Sequence, residues 1–100
     1  MTEQEARAAL AEHRCRIDQV DQGLVALLNE RTRIVEQIGR VKREAKMPIY
    51  EPKREDEVFA NVIAANPGPL PHEAVKRIFE RIVDEMRVVQ KNKMEQQSQC

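Results

Sequence analysis

Arg31 and Lys42 occupy positions where a buried helix face should be apolar. In the series Leu10, Arg14, Ile17, Asp21, Leu24, Leu28, Arg31, Val35, Ile38, Lys42 the steps alternate 4 and 3, the a/d pattern of a helix packed along one seam. Three cations lie on that seam, and Arg54 heads the next helix beside Glu55. On the third helix Gln90 continues an apolar line through Phe79, Val83 and Met86. A single long basic side chain can cover apolar surface and keep its charge in water. A single polar seam residue can do no more than fix register. Four cations exceed those explanations, because an unpaired buried cation is costly and Asp21 and Glu55 offset only part of the charge. The pattern points to an anionic ligand. Arg presents a planar fork that fits a carboxylate, and Lys a compact charge. The expected ligand is a small polyanion with more than one carboxylate.

Spacing refines this expectation. Arg31 and Lys42 are separated by about three turns, or ~16 Å of rise, so two long side chains can converge on one ligand. Arg14 lies ~25 Å before Arg31 along the same helix and reaches that ligand only from a second, antiparallel copy. Gly39, one turn before Lys42, leaves room for a ligand or a close helix. His13 and His72 stand alone, without metal-ligand spacing. There is no Gly-rich phosphate loop and no nucleophile–base pair at recognisable spacing. The chemistry expected is therefore positioning and electrostatics, with no metal and no cofactor.

The elements that must hold these residues are helical. No proline interrupts residues 3–47, and Pro48 ends the pattern, so the spacing predicts one helix over about 5–45. At 1.5 Å per residue it spans roughly 60 Å, against a diameter near ~35 Å for a compact chain of this length. The two shorter segments cannot cover its apolar face, and the simplest complement is a second copy. KMPIYEP (46–52) reads as a loop, with Pro52 suited to the first turn of a helix over 53–65. That helix carries Val58, Phe59, Val62, Ile63 and Glu55 on one face. NPGPLP (66–71) is the sharpest break. A third helix follows over 71–92, with Val75, Ile78, Phe79, Ile82, Val83, Met86 and Val89 as its core stripe and a polar, frayed tail over 91–100. The fold class is all-α: a single domain over 1–100, a three-helix chain with one very long first helix that extends into the core of a second copy.

Composition narrows the partners. With 17 basic and 17 acidic residues there is no basic surplus for nucleic acid or an anionic membrane. No apolar run approaches a membrane span, and TEQEARAA near the start lacks the apolar core of a leader. Cys15 and Cys100 lack CxxC or metal spacing and read as free thiols. The expected location is the cytoplasm.

RIDQVDQGLVALLNERTRIVEQIGRVK, then PIYEPKREDEV, then GPLPHEAVKRIFERIVDEMRVVQ together resemble the all-helical (type II) chorismate mutases over about residues 10–90. The resemblance implies an intertwined dimer in which long first helices span both sites. The implied activity is the rearrangement of chorismate, a dicarboxylate, to prephenate on the route to phenylalanine and tyrosine. It assigns Arg14, from the partner copy, and Arg31 to the two carboxylates. Lys42 goes to the ether oxygen and a carboxylate, and Gln90 donates to the same ether oxygen. Glu55 holds the ring hydroxyl, helped by the backbone at Glu51, and Arg54 lines the site. Glu51 stands where the family commonly has aspartate. Met86 stands where a small or hydroxyl residue is common, which removes a hydrogen bond and crowds the site. The nearest rival is a same-fold enzyme splitting isochorismate into salicylate and pyruvate. Another is a weakly active module that senses chorismate or prephenate and acts on an early shikimate-pathway enzyme. A purely structural helical dimer is the third.

Overall fold

A computed structural model of the chain describes the backbone of residues 1–98 and the side chains of residues 1–92. Three helices make up the fold, with no strand among the described residues: α1 (Glu3–Ala45), α2 (Pro52–Ala65) and α3 (His72–Ser98). None of them is long and apolar enough to cross a membrane.

α1 begins two residues before the predicted start because Thr2 and Glu5 cap it. The Glu5 N–H donates to Thr2 Oγ1 at 3.1 Å, and the Thr2 hydroxyl donates to Glu5 Oε1 at 3.1 Å, a variant of the capping box. α1 ends in a Schellman turn: Met47 N–H donates to the Lys42 carbonyl at 2.7 Å and Lys46 N–H to the Arg43 carbonyl at 3.2 Å. Lys46 takes the left-handed conformation usual for glycine there, with φ 58°. α2 starts at Pro52, in the first turn where the missing N–H costs nothing. Its N-cap, Glu51, accepts the Glu55 N–H on its backbone carbonyl but makes no side-chain cap. After α2, Asn66 fastens the break: its Nδ2 donates to the Leu70 carbonyl at 2.7 Å, and its Oδ1 accepts from the Gly68 N–H at 3.1 Å. α3 runs to Ser98, past the end near 92 read from the sequence. The segment KNKMEQQS holds mostly good helix formers and no Gly or Pro, so loss of the apolar stripe does not stop the helix. Of the segment expected as a tail, residues 99 and 100 lie outside the described residues.

The chain divides into two compact units, Met1–Arg33 and Ile34–Cys100. The second holds the core. Val35, Val75, Val83 and Met86 are buried, flanked by half-buried Val58, Phe59, Val62, Ile63, Phe79, Ile82 and Val89. Ile78, expected in the stripe, is exposed. Lys76 Nζ stands 6.0 Å from the Phe59 ring centroid, which ties α3 to α2 by a cation–π contact. The first unit is helix with a bare apolar face: Leu10, Ile17, Val20, Leu24, Leu27 and Leu28 are 38–63% exposed.

Candidate functional site

Lys42 is the centre of the candidate site in the second unit. It is 8% exposed, near the end of α1 on the line Val35, Gly39, Lys42 that faces the core. Its ammonium donates to the Ile49 carbonyl at 2.9 Å and pairs with Glu51 Oε1 at 2.9 Å. The Schellman turn at Lys46 makes this possible, because it folds the chain back so that a carbonyl and a carboxylate from the next loop return to the same side chain. Glu51, credited from the sequence with a backbone contact only, thus brings its carboxylate to the cation. Part of the expected positive surplus is cancelled within the chain.

Glu55 sits one turn into α2 with its side chain 19% exposed. Arg87 Nε on α3 stands 3.0 Å from Glu55 Oε2. This is an ion pair by distance, although the Nε–H is not aligned for a hydrogen bond. The same guanidinium pairs through Nη2 with Asp84 and lies with Cζ 5.3 Å from the Tyr50 ring centroid. Sequence reasoning missed Arg87. It flanks the α3 stripe as an ordinary surface arginine would, and the only signal was its place three residues before Gln90, one turn away on neighbouring helix surface.

Gln90 is buried, and its Oε1 has no hydrogen-bond partner among the described residues. A buried amide atom without a partner costs about 1–3 kcal/mol, so this group is one a ligand would satisfy. A half-turn of the amide puts its NH2 in the same place. A Cβ added at Gly39 would meet Gln90 Cγ at 3.6 Å, ordinary contact. The room at Gly39 is therefore taken by the Gln90 side chain. Met86, one turn before Gln90, is buried and joins the core.

Lys42, Glu51, Glu55, Met86 and Gln90 all lie in the second unit, where Lys42 pairs with Glu51 and Gln90 lies against Gly39, one turn before Lys42. Arg54 turns outward: its side chain is 60% exposed and pairs with Glu57 at 3.4 Å. Arg14 is exposed and Arg31 half-buried, both in the first unit. Of the histidines, His72 Nδ1 is 3.2 Å from Asn66 Nδ2 at the start of α3, and His13 is exposed. Chemically, the second unit offers a desolvated ammonium, an acceptor carboxylate and a buried amide. An incoming carboxylate can replace Glu51 on Lys42, a hydroxyl can donate to Glu55, and an oxygen gaining charge can be met by Lys42 and Gln90.

Comparison with known proteins adds to this geometry. Residues 13–91 match the family described as Chorismate mutase type II. The bifunctional chorismate mutase/prephenate dehydratase of Aquifex aeolicus (strain VF5) is 37% identical over 78 residues, which make up 74% of this chain and 22% of that protein. The chain thus spans about a fifth of that relative's length. The form II structure of the Thermus thermophilus chorismate mutase is similar with a TM-score of 0.81 and 36% identity, covering 83% of this chain and 94% of that one. The Helicobacter pylori chorismate mutase in complex with prephenate gives a TM-score of 0.81 at 30% identity, covering 88% of this chain and 96% of that one.

Proposed function

The chain belongs to the type II chorismate mutase family, and from that premise we propose that it rearranges chorismate to prephenate by electrostatic preorganisation. The observation that carries the reading is Lys42, an ammonium buried to 8% exposure and held by two oxygens, with Gln90 Oε1 in the same unit buried and without a partner among the described residues. In this rearrangement the C–O bond breaks ahead of C–C bond formation, so negative charge builds on the ether oxygen. Lys42 and the Gln90 NH2 stabilise that charge. One such preorganised donor is worth roughly 3–4 kcal/mol of barrier. Arg31 and Arg14 of a second copy hold the two carboxylates so that the reacting carbons stay near each other. Glu55 accepts from the ring hydroxyl beside the backbone of Glu51. Met86 packs against the substrate, and Arg54 contributes to the field. No proton transfer, metal or cofactor enters the mechanism.

The active form is an intertwined cytoplasmic homodimer, one mutase domain per chain. Two features support it: the bare apolar face of the first unit, and the place of Arg14 on that face's seam. A further reading is that the chain associates with an early shikimate-pathway enzyme; the bifunctional relative joins its mutase to a prephenate dehydratase and supports only the coarser idea of a pathway partner. Turnover decides among the enzymatic readings. Loss of chorismate with formation of prephenate is expected. Salicylate from isochorismate would identify the lyase, and tight prephenate binding without turnover the sensor. The shared site has its own test. Arg14→Ala and Lys42→Ala chains are each nearly inactive, and refolded together they regain about a quarter of wild-type activity, because half the dimers then carry one intact site. Heterodimers that form but stay inactive overturn the sharing.

A further inference from the structure

We infer that Arg87, on α3, is a positioning residue that fixes the Glu55 carboxylate for the substrate hydroxyl; the inference rests on the mutase reading above. The guanidinium is engaged on three sides. Its Nε edge is buried 3.0 Å from Glu55 on α2, its Nη2 meets Asp84 on its own helix, and its face lies 5.3 Å from the Tyr50 ring in the 46–51 loop. With two carboxylates and a ring already around it, Arg87 is placed to hold a protein group and not a ligand. The group it holds is the one whose exact placement matters to the ligand.

Two consequences follow for the site. Glu55 sits on the first turn of a helix, where its side chain would otherwise sample several rotamers, and Arg87 selects one of them. A carboxylate paired with a guanidinium accepts hydrogen bonds and donates none, so the ligand atom meeting its second oxygen must bring a proton. Arg87 thereby makes the site selective for a ring hydroxyl over an ether or ketone at that position.

The test is chorismate kinetics on the full chain for wild type, Arg87→Met, Arg87→Lys, Glu55→Gln and the Arg87→Met/Glu55→Gln pair. The hydroxyl contact exists in ground and transition states alike, so its loss appears in KM. Arg87→Met is expected to raise KM about tenfold, the size of a contact-pair coupling, with kcat within about twofold. In the Glu55→Gln background the same change moves KM by less than about twofold, because the two residues act as a pair. Arg87→Lys, which returns the charge, recovers part of the loss. A merely structural role reduces the folded fraction and lowers kcat at unchanged KM. That pattern overturns the inference, as does an equal KM effect with and without Glu55. If Arg87→Met does not fold, Asp84→Asn on the exposed edge decides: KM rising about two- to threefold supports the positioning, and unchanged KM overturns it. A wild type with no chorismate turnover overturns the mutase reading and this inference with it. An active wild type indifferent to Arg87→Met overturns this inference alone.

Discussion

From Met1 to Arg33 the large apolar residues of α1 are all exposed, whereas from Ile34 onward the same helix gives Val35, Gly39 and Lys42 to a buried core. The heptad pattern does not change between the two regions, but its surroundings do. In the second unit α3 supplies the buried Val75, Val83, Met86 and Gln90, and α2 the half-buried Val58, Phe59, Val62 and Ile63. In the first, Ile17, Leu24 and Leu27 are more than half exposed. A patch of that kind on a small protein marks an interaction surface. The two regions differ in chemistry as well: Lys42 finds Glu51, and Glu55 finds Arg87, both within the second unit. The second region pairs its charges and buries part of its apolar face, with Ile34, Ile38 and Val41 still exposed, whereas the first buries none of its large apolar residues.

The strongest way to test this contrast is to remove the second unit's central charge. Lys42→Ala is expected to lower kcat about 10²–10³-fold while leaving the far-UV circular dichroism unchanged, because Glu51 is 41% exposed and returns to water. A fold that collapses with the lysine would make Lys42 a structural ion. Next comes the first unit. Leu24→Glu at a position left in solvent costs no more than ~0.5 kcal/mol. Against a second copy it forfeits roughly 1.5–3 kcal/mol of burial in each chain. Sedimentation should then show a monomer, and an unchanged mass would erase the distinction between the units. Val83→Ala probes the self-sufficient core and should cost about 2 kcal/mol, a fall of ~10 °C in Tm. The smallest effect has the opposite sign. Lys46→Gly relieves a left-handed conformation at φ 58° and should stabilise the chain by about 1 kcal/mol, with KM for chorismate unchanged.

Much of this was legible in the residues, for identifiable reasons. α1 and its end at the Pro48 region follow from periodicity and a breaker, both local signals. Lys42 and Gln90 stood out because polar side chains interrupted an apolar register, and both prove buried. What escaped was pairing at a distance. Glu51 lies in a loop with no period, so nothing in the sequence aims its carboxylate at Lys42. Arg87 and Glu55 meet only once α3 lies on α2, and before that Arg87 resembles any solvated charge. Arg54 shows a local pairing that the sequence did not foretell: its exposed side chain pairs with Glu57, one turn on. The sequence pattern marks which face is apolar, and the fold determines what covers it.

The loop between α1 and α2 carries one more consequence. Lys42 takes its oxygens from the backbone of Ile49 and the side chain of Glu51, and the turn at Lys46 brings the chain back to reach it. Those positions are counted from the helix end. One residue more or fewer before Ile49 would offer the ammonium a different carbonyl and swing Glu51 to another side of the chain. This stretch should therefore tolerate many spellings at Met47 and none of a different length. An insertion there should cost the proposed turnover as Lys42→Ala does, while leaving the three helices standing.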